Sequence, residues 1–359
     1  MRITAIHKAT LNVEEEIKTA TLSTINELLA LTSTGMVIRY DTEDQKREEL
    51  FSIKSSIVYD GGGFDVEAAS TIYTLDSIVV IVNDYKRHGF VHYPNKYNAL
   101  HLWREDYHAD ISCFPIVLFK NELGIPHLIY GVAWNHVQVM NLATRQILTT
   151  SKSLILEGAE ERHIKFYEKH TDHNKLAWPR PYDYFYGKLE MSPDQKNFLS
   201  AGWAWGSCDA YNIYELDHFI NENRISEKSI GGWEHSNRGA CWINNETVAV
   251  AYNPAEEGDE DSNDESPQEI HFYKVSGEKS EIEKRIKIVN WDLVNSNLYF
   301  NSALNAIITV SKKIGVAVFS LEGEILFQDN AMKQDAYDPQ LNLFIKTSGN
   351  TVTVHRLGH

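Results

Sequence analysis

The fold is decided by the stretch from Gly187 to Asp217, GKLEMSPDQKNFLSAGWAWGSCDAYNIYELD. Ser192-Pro193-Asp194 is a turn signal, because proline pre-sets φ and aspartate can bond its own backbone. A run from Asn197 to Ala201 follows, then a Gly/Trp loop, then a run from Ala210 to Leu216. Strand, turn, strand, loop, strand is a meander, and the same phrase recurs along the chain.

FNSALNAIITVSKKIGVAVFSLEGEILF (Phe300 to Phe327) and YDPQLNLFIKTSGNTVTVHRL (Tyr337 to Leu357) repeat it almost in register. INNETVAVAYN and EIHFYKV repeat it around an insertion. STINELLALTSTGMVIRYD, YTLDSIVVIVND with HGFVHYP, and FKNELGIPHLIYGVAWNHVQVMNL complete seven copies. Their third strands centre on Tyr40, Tyr93, Met140, Tyr214, Tyr273, Phe319 and His355. A four-strand unit repeated about every 40 to 50 residues indicates a β-propeller.

The expected fold is therefore all-β, a seven-bladed β-propeller forming a single domain over 1–359. The approximate blades are 17–54, 66–107, 113–150, 183–222, 238–287, 294–328, and 332–359 with 1–9, and 151–182 is an insertion. Fourth strands are expected at REELFSI, NALHLWR, RQILTT, a poor one at Leu216 to Ile220, EIEKRIKI and GEILFQ. The last copy has none. The spare N-terminal strand, MRITAIHKA, is expected to close the ring on the outside of the last blade, which removes an open seam.

The repeat resembles the bacterial WD-repeat-like and YVTN-like seven-bladed propellers over nearly the whole chain. The resemblance lies in pattern and not in signature dipeptides. Third strands end in Tyr40-Asp41, Tyr93-Pro94 or Phe319-Ser320 where Trp-Asp would stand, and the single Trp-Asp, Trp291-Asp292, lies elsewhere. A Gly-His before each blade is also missing. The segment from Asp183 to Gly206 is similar to one in bacterial propeller proteins, a likeness that implies no activity and transfers no catalytic residues.

Composition narrows the functions. Apolar residues make up 43% and charged residues 23%, an ordinary globular balance. The formal net charge of −16 argues against nucleic acid and anionic membranes, both of which attract Lys and Arg. The N-terminus shows no secretion signal, and no apolar run is long enough to span a bilayer. Cys113, Cys208 and Cys241 are sparse, odd in number and widely spaced, so reduced thiols in a cytoplasmic protein are expected. A monomer is expected, with no cofactor.

In a blade, the first-to-second and third-to-fourth turns open on one face, and the second-to-third loops and blade-to-blade links on the other. Every long segment reads as the second class: 55–65, 104–113, 151–182, 221–237 and 253–268. One decorated face is therefore expected to hold a partner, since insertions in repeat folds map to the binding face.

On that face GVAWNH (Gly131 to His136) and GWAWG (Gly202 to Gly206) occupy the same loop of adjacent blades. Trp134, Trp203 and Trp205 are candidates for an aromatic platform; the blander alternative is inter-blade packing. His136, Tyr107, His108 and Trp233 complete the candidate binding set, with Asp84, Lys86 and Arg87 in the neighbouring blade's loop.

His101, Glu105, Asp106, His108, Asp110 and Cys113 carry ligand chemistry, but their spacing matches no zinc signature. His163, His170 and His173 read as loop histidines. The acidic run from Glu256 to Glu269 lacks the Gly and the final Glu of a calcium loop. Gly61-Gly62-Gly63 has no following Lys-Ser/Thr, and no G-x-S-x-G elbow exists. No catalytic or metal-ligating residue is assigned. The reading is a non-catalytic scaffold holding a partner protein or peptide. The alternative is a metal-assisted hydrolase or lyase with its site at the mouth of the central channel.

Overall fold

The computed structural model describes all residues except 11–14, 54–62, 171–180, 235–237, 254–267, 295 and 359, and the side chains of Arg2, His7, Thr10, Trp233 and Glu234. The chain begins with β1 (Arg2–Thr10). Blade one is β2 (Ile17–Thr24), β3 (Glu27–Thr32), β4 (Met36–Asp41) and β5 (Lys46–Ser52). Blade two is β6 (Ser70–Leu75), β7 (Ile78–Asn83), β8 (His88–Tyr93) and β9 (Tyr97–Trp103). Blade three is β10 (Ile116–Lys120), β11 (Pro126–Ala133) and β12 (His136–Asn141), followed by helix α1 (Ala159–Lys169).

Blade four is β13 (Phe185–Met191), β14 (Asn197–Ala204), β15 (Cys208–Glu215) and β16 (Lys228–Glu234), with helix α2 (Leu216–Asn221) before its last strand. Blade five is β17 (Ala240–Trp242), β18 (Thr247–Tyr252), β19 (Gln268–Lys274) and β20 (Glu281–Ile288). Blade six is β21 (Asn297–Asn301), β22 (Ala306–Ser311), β23 (Gly315–Ser320) and β24 (Ile325–Asp329). Blade seven is β25 (Ala336–Asp338), β26 (Leu343–Ser348) and β27 (Thr351–Gly358), completed by β1 in the order β1-β27-β26-β25.

Every sheet is antiparallel, and each is a meander apart from the strand β1 added to blade seven. The first strands of neighbouring blades touch, so they line the centre of a ring. Seven core clusters hold the ring, each shared between two adjacent blades. This is why β7 (IVVIVN) and β22 (AIITVS) are buried along their whole length: both faces of a middle strand meet a neighbouring sheet. Closure is as expected. β1 pairs antiparallel with β27, from Arg2 opposite Gly358 to Thr10 opposite Thr351.

Two fourth-strand expectations are corrected. RQILTT forms no strand in blade three; it contributes a single bridge, Met140 to Ile147. Leu216 to Ile220 is not a strand but lies in α2, and the fourth strand of blade four is β16, within the segment expected to be a link. Leu216, Phe219 and Ile220 fall at i, i+3 and i+4, a helical spacing. They pack into the cluster between blades three and four.

These corrections alter the picture of a single decorated face. The connector 216–227 leaves β15 at the end opposite Trp205. It then meets the insertion at the outer edge of blade three. Leu148 N donates to Val139 O at 2.8 Å, Glu157 N to Ile225 O at 2.8 Å, and Ile225 N to Ile155 O at 3.0 Å. Lys152 Nζ donates to the Glu222 and Arg224 carbonyls and lies 4.4 Å from the Phe219 ring. Residues 148–157 and the connector therefore cover an edge that a fourth strand would otherwise have paired.

Candidate functional site

A run of aromatics leads into β13. Tyr182, Tyr184 and Tyr186 alternate into the core between blades three and four. Phe185, on the other phase, is fully buried beneath the second-to-third turns of those blades. Around it stand five of the residues named from sequence. Trp203 stacks on Phe185 at 3.7 Å and 10°. Trp134 lies 4.5 Å from it, Trp205 4.9 Å, His108 5.4 Å and Tyr107 6.2 Å.

Tyr107, Trp134 and Trp205 form a triad with centroids 5.9, 6.2 and 6.3 Å apart and planes inclined by 60–63°. Tyr107 is 49% and Trp205 48% exposed, so about half of each ring faces solvent. Tyr85 and Ile111 are exposed on the same face, in blade two's turn and the following link.

The rings are fixed by their polar partners. Trp205 Nε1 donates to Asp183 Oδ1 at 2.6 Å and Trp203 Nε1 to Ser112 Oγ at 2.8 Å. Tyr186 N donates to Trp134 O at 2.9 Å, and Asn135 Nδ2 to Tyr182 O at 2.8 Å. A Cβ on Gly202 would be driven into the Phe185 carbonyl and the Tyr184 hydroxyl, so only glycine lets β14 approach β13 here.

The link carrying Tyr107 is built on Arg104, which is 4% exposed. Its guanidinium donates to the carbonyls of Lys86 at 2.8 Å, Ala109 at 2.9 Å and Ser112 at 2.8 Å, and lies 4.8 Å from the Phe114 ring. Burial lowers the Arg104 pKa to about 10, which leaves it charged at neutral pH. His108 sits in the left-handed region, φ 54°, a conformation held by this network.

The remaining named residues lie apart from the rings. His136 opens β12, with Nε2 buried and without a hydrogen-bond partner among the described residues; burial, then Lys152, holds its pKa down. Lys86 is paired with Asp65, whose carboxyl it holds low. Arg87 donates to Arg104 O and lies 4.9 Å from the Trp103 ring. Burial holds the Asp84 carboxyl high at the channel mouth, against a hydrogen bond to Thr71 and the charge of Lys312. Trp233 lies on β16, and its side chain is outside the described residues.

The ligand-type residues of the link also separate. His101 Nε2 and His88 Nδ1 share a hydrogen bond at 2.9 Å. Burial pushes the Cys113 thiol up to about 11, which suits neither a ligand nor a nucleophile. His163 and His170 contact Tyr167 and Phe166 on and beside α1. His173, Gly61-Gly62, Trp178 to Arg180 and most of the acidic run lie outside the described residues. Among the described residues no three of His, Cys, Asp and Glu gather closely enough to hold a metal ion.

In the channel, Lys188 Nζ of β13 reaches to 5.7 Å from the Tyr299 ring of blade six. Burial works against its charge, but the acidic groups around it, Tyr299 and Glu190 foremost, leave its pKa raised. A cavity of about 330 Å³ lies among β2, β6 and β25, lined by Lys18, Thr71, Asp84, Lys312 and Asp335. Lys312 faces Asp335 at 3.5 Å. Glu16 completes the charged lining, which holds two lysines and three carboxylates and, among the described residues, no histidine.

Sequence reasoning missed Phe185, Asp183, Ser112 and Arg104. Phe185 had a readable signal, the period-2 alternation of YDYFYG, which sets it opposite three tyrosines. Arg104 and Ser112 act through backbone carbonyls and one indole, for which sequence offers no pattern.

No family model and no curated protein sequence matches the chain. Among solved structures it is similar to the WD40 domain of Pan2 from Neurospora crassa, at 10% identity and a TM-score of 0.56. The match covers 98% of this chain and 94% of that one. The fold is that of a WD-repeat-like seven-bladed propeller, and the likeness extends to the fold alone. Among the described residues no helix is long and apolar enough to cross a membrane.

Proposed function

We propose that this propeller is a non-catalytic binding platform, and that the face bearing the Trp205 turn holds a partner protein or peptide. One observation carries the reading. Tyr107 and Trp205 expose about half of each ring while their surroundings are tied down by hydrogen bonds and a buried arginine. An anchor already rigid loses little entropy on binding, and large aromatics supply the contact area. Inter-blade packing accounts for Trp203 and Phe185, but not for the exposed faces of Tyr107 and Trp205. In this reading the chain works as one monomeric domain in a reducing, cytoplasmic setting, without nucleic acid or membrane.

The test is capture of interacting proteins by the wild type, a Tyr107→Ala/Trp205→Ala variant, and Leu123→Ala. Leu123 is 82% exposed in a first-to-second turn on the opposite face. A partner held by the wild type and by the Leu123 variant, but lost by the double variant, is expected. A partner that survives the double substitution, or depends on Leu123, would overturn the assignment.

A further inference from the structure

We infer that the occupant of the platform is a basic segment of the partner, seated with a Lys or Arg side chain against the exposed rings of Tyr107 and Trp205. This rests on the platform reading above and specifies its chemistry.

The first argument is the ring geometry. The planes of Tyr107, Trp134 and Trp205 are inclined by 60–63°, so none of these three rings is stacked flat against another. Phe185 closes the floor and is fully buried. An aromatic face carries the negative part of the ring quadrupole and attracts a cation within about 6 Å, most strongly where water is excluded. The orientation of Trp205 is set by its bond to Asp183. Its exposed half is therefore fixed in place before any ligand arrives.

The second argument is charge. The charged side chains in the segments that build the rim are Glu105, Asp106, Asp110 and Asp183, and each is exposed. Residues 105–112, 133–136, 182–183 and 203–208 contain no Lys or Arg. The bases beside the rim are already engaged: Arg104 is buried on backbone carbonyls, and Arg87, with 16% of its side chain exposed, stands 3.9 Å from Asp106 and against Trp103 and the Arg104 carbonyl. An anionic or purely apolar partner would leave these carboxylates facing like charge or stripped of water. A basic one meets both the carboxylates and the π faces. The net charge of −16 would steer such a segment over longer range.

The experiment pans a random dodecapeptide library on the whole protein and counter-selects on the Tyr107→Ala/Trp205→Ala variant. Retained peptides are then resynthesised with Arg replaced by citrulline and Lys by norleucine, and affinity is read by fluorescence anisotropy. Peptides containing Lys or Arg are expected, with affinity falling roughly tenfold or more on neutralising the seated residue. Asp106→Asn/Asp110→Asn is expected to weaken binding by a smaller factor that shrinks at high salt. Trp205→Leu keeps apolar bulk but removes the π face, and serves if the double variant fails to fold. Ring-dependent peptides that tolerate neutralisation would overturn the cationic occupant and leave the platform standing. Absence of any ring-dependent peptide would overturn both.

Discussion

Blades six and four are built on the same meander but held in different ways. In blade six the two middle strands are mainly aliphatic: Ile307, Ile308, Val310, Val316, Ala317 and Val318 are all essentially inaccessible, and the buried hydroxyls of Thr309 and Ser311 bond only to nearby backbone. Aliphatic residues need only fill volume, and several sequences would do so. Blade four buries Ser200, Asp209 and Asn212 in the corresponding strands, each with partners. Ser200 Oγ meets Tyr184 Oη at 3.1 Å and Gly187 N at 3.3 Å. Asn212 donates to Glu227 and accepts from Ser229. Asp209 receives Arg238 Nε and Nη2 at 2.6 and 2.5 Å. Satisfied polar networks tolerate one arrangement, so blade four is the more exactingly shaped of the two. It is also the blade that carries Trp203 and Trp205.

The largest test of this contrast lies in the Arg238–Asp209 pair, which is 1% and 3% exposed. Asp209→Ala leaves a buried guanidinium unpaired and is expected to cost about 3–5 kcal/mol by urea unfolding. Ile308→Ala in blade six should cost about 2–5 kcal/mol through its cavity. The two separate under conservative change. Ile308→Val should cost only about 0.5–1.5 kcal/mol, whereas Asp209→Asn should keep most of the alanine penalty. Equal behaviour of the two conservative variants would erase the distinction.

Gly202→Ala comes next. The added methyl collides with backbone and with Tyr184, and about 1–3 kcal/mol is expected, with a shift in tryptophan fluorescence as Trp203 leaves Phe185. Trp205→Ala, by contrast, should cost no more than about 1 kcal/mol, since half the ring is already wet. It should nevertheless remove partner capture. A costly Trp205→Ala with capture intact would assign that ring to packing.

The smallest expected effect is in pH. Burial holds the Glu227 carboxyl above its ordinary value of 4.5, with the Tyr182 hydrogen bond and Arg162 opposing. The folded state therefore favours the protonated form. That stabilisation is complete below the unfolded pKa and is lost as pH rises through the folded one. Glu227→Gln should remove this dependence, so wild type minus variant falls from pH 4.5 upward. A difference that is flat across that range would show that Glu227 is not desolvated.

The sequence revealed the blades because alternation and turn residues recur wherever two sheets sandwich a third. It did not reveal α2, because Leu216, Phe219 and Ile220 fit a poor strand and a single helical turn equally in so short a run. The ring cluster was half legible. Trp134, Trp203, Trp205, Tyr107 and His108 meet because the turns of adjacent blades and the link between them are neighbours by topology. His136 does not join them although it lies two residues from Trp134, because it sits on β12 beyond the turn. Asp84, Lys86 and Arg87 share the face but are drawn to nearer partners: Thr71, Asp65 and Trp103. Such choices depend on three-dimensional distance, which one sequence does not contain.

The pairing of β1 with β27 bears on the order in which the molecule is made. Within the ring, β1 must wait for β27, the strand most distant from it in sequence. Loop closure over that span is slow, and contacts of high sequence separation form late. Until then β1 offers a bare hydrogen-bonding edge, as does β27 in a ring not yet closed. The interval between synthesis and closure is therefore the stage at which two copies could exchange strands.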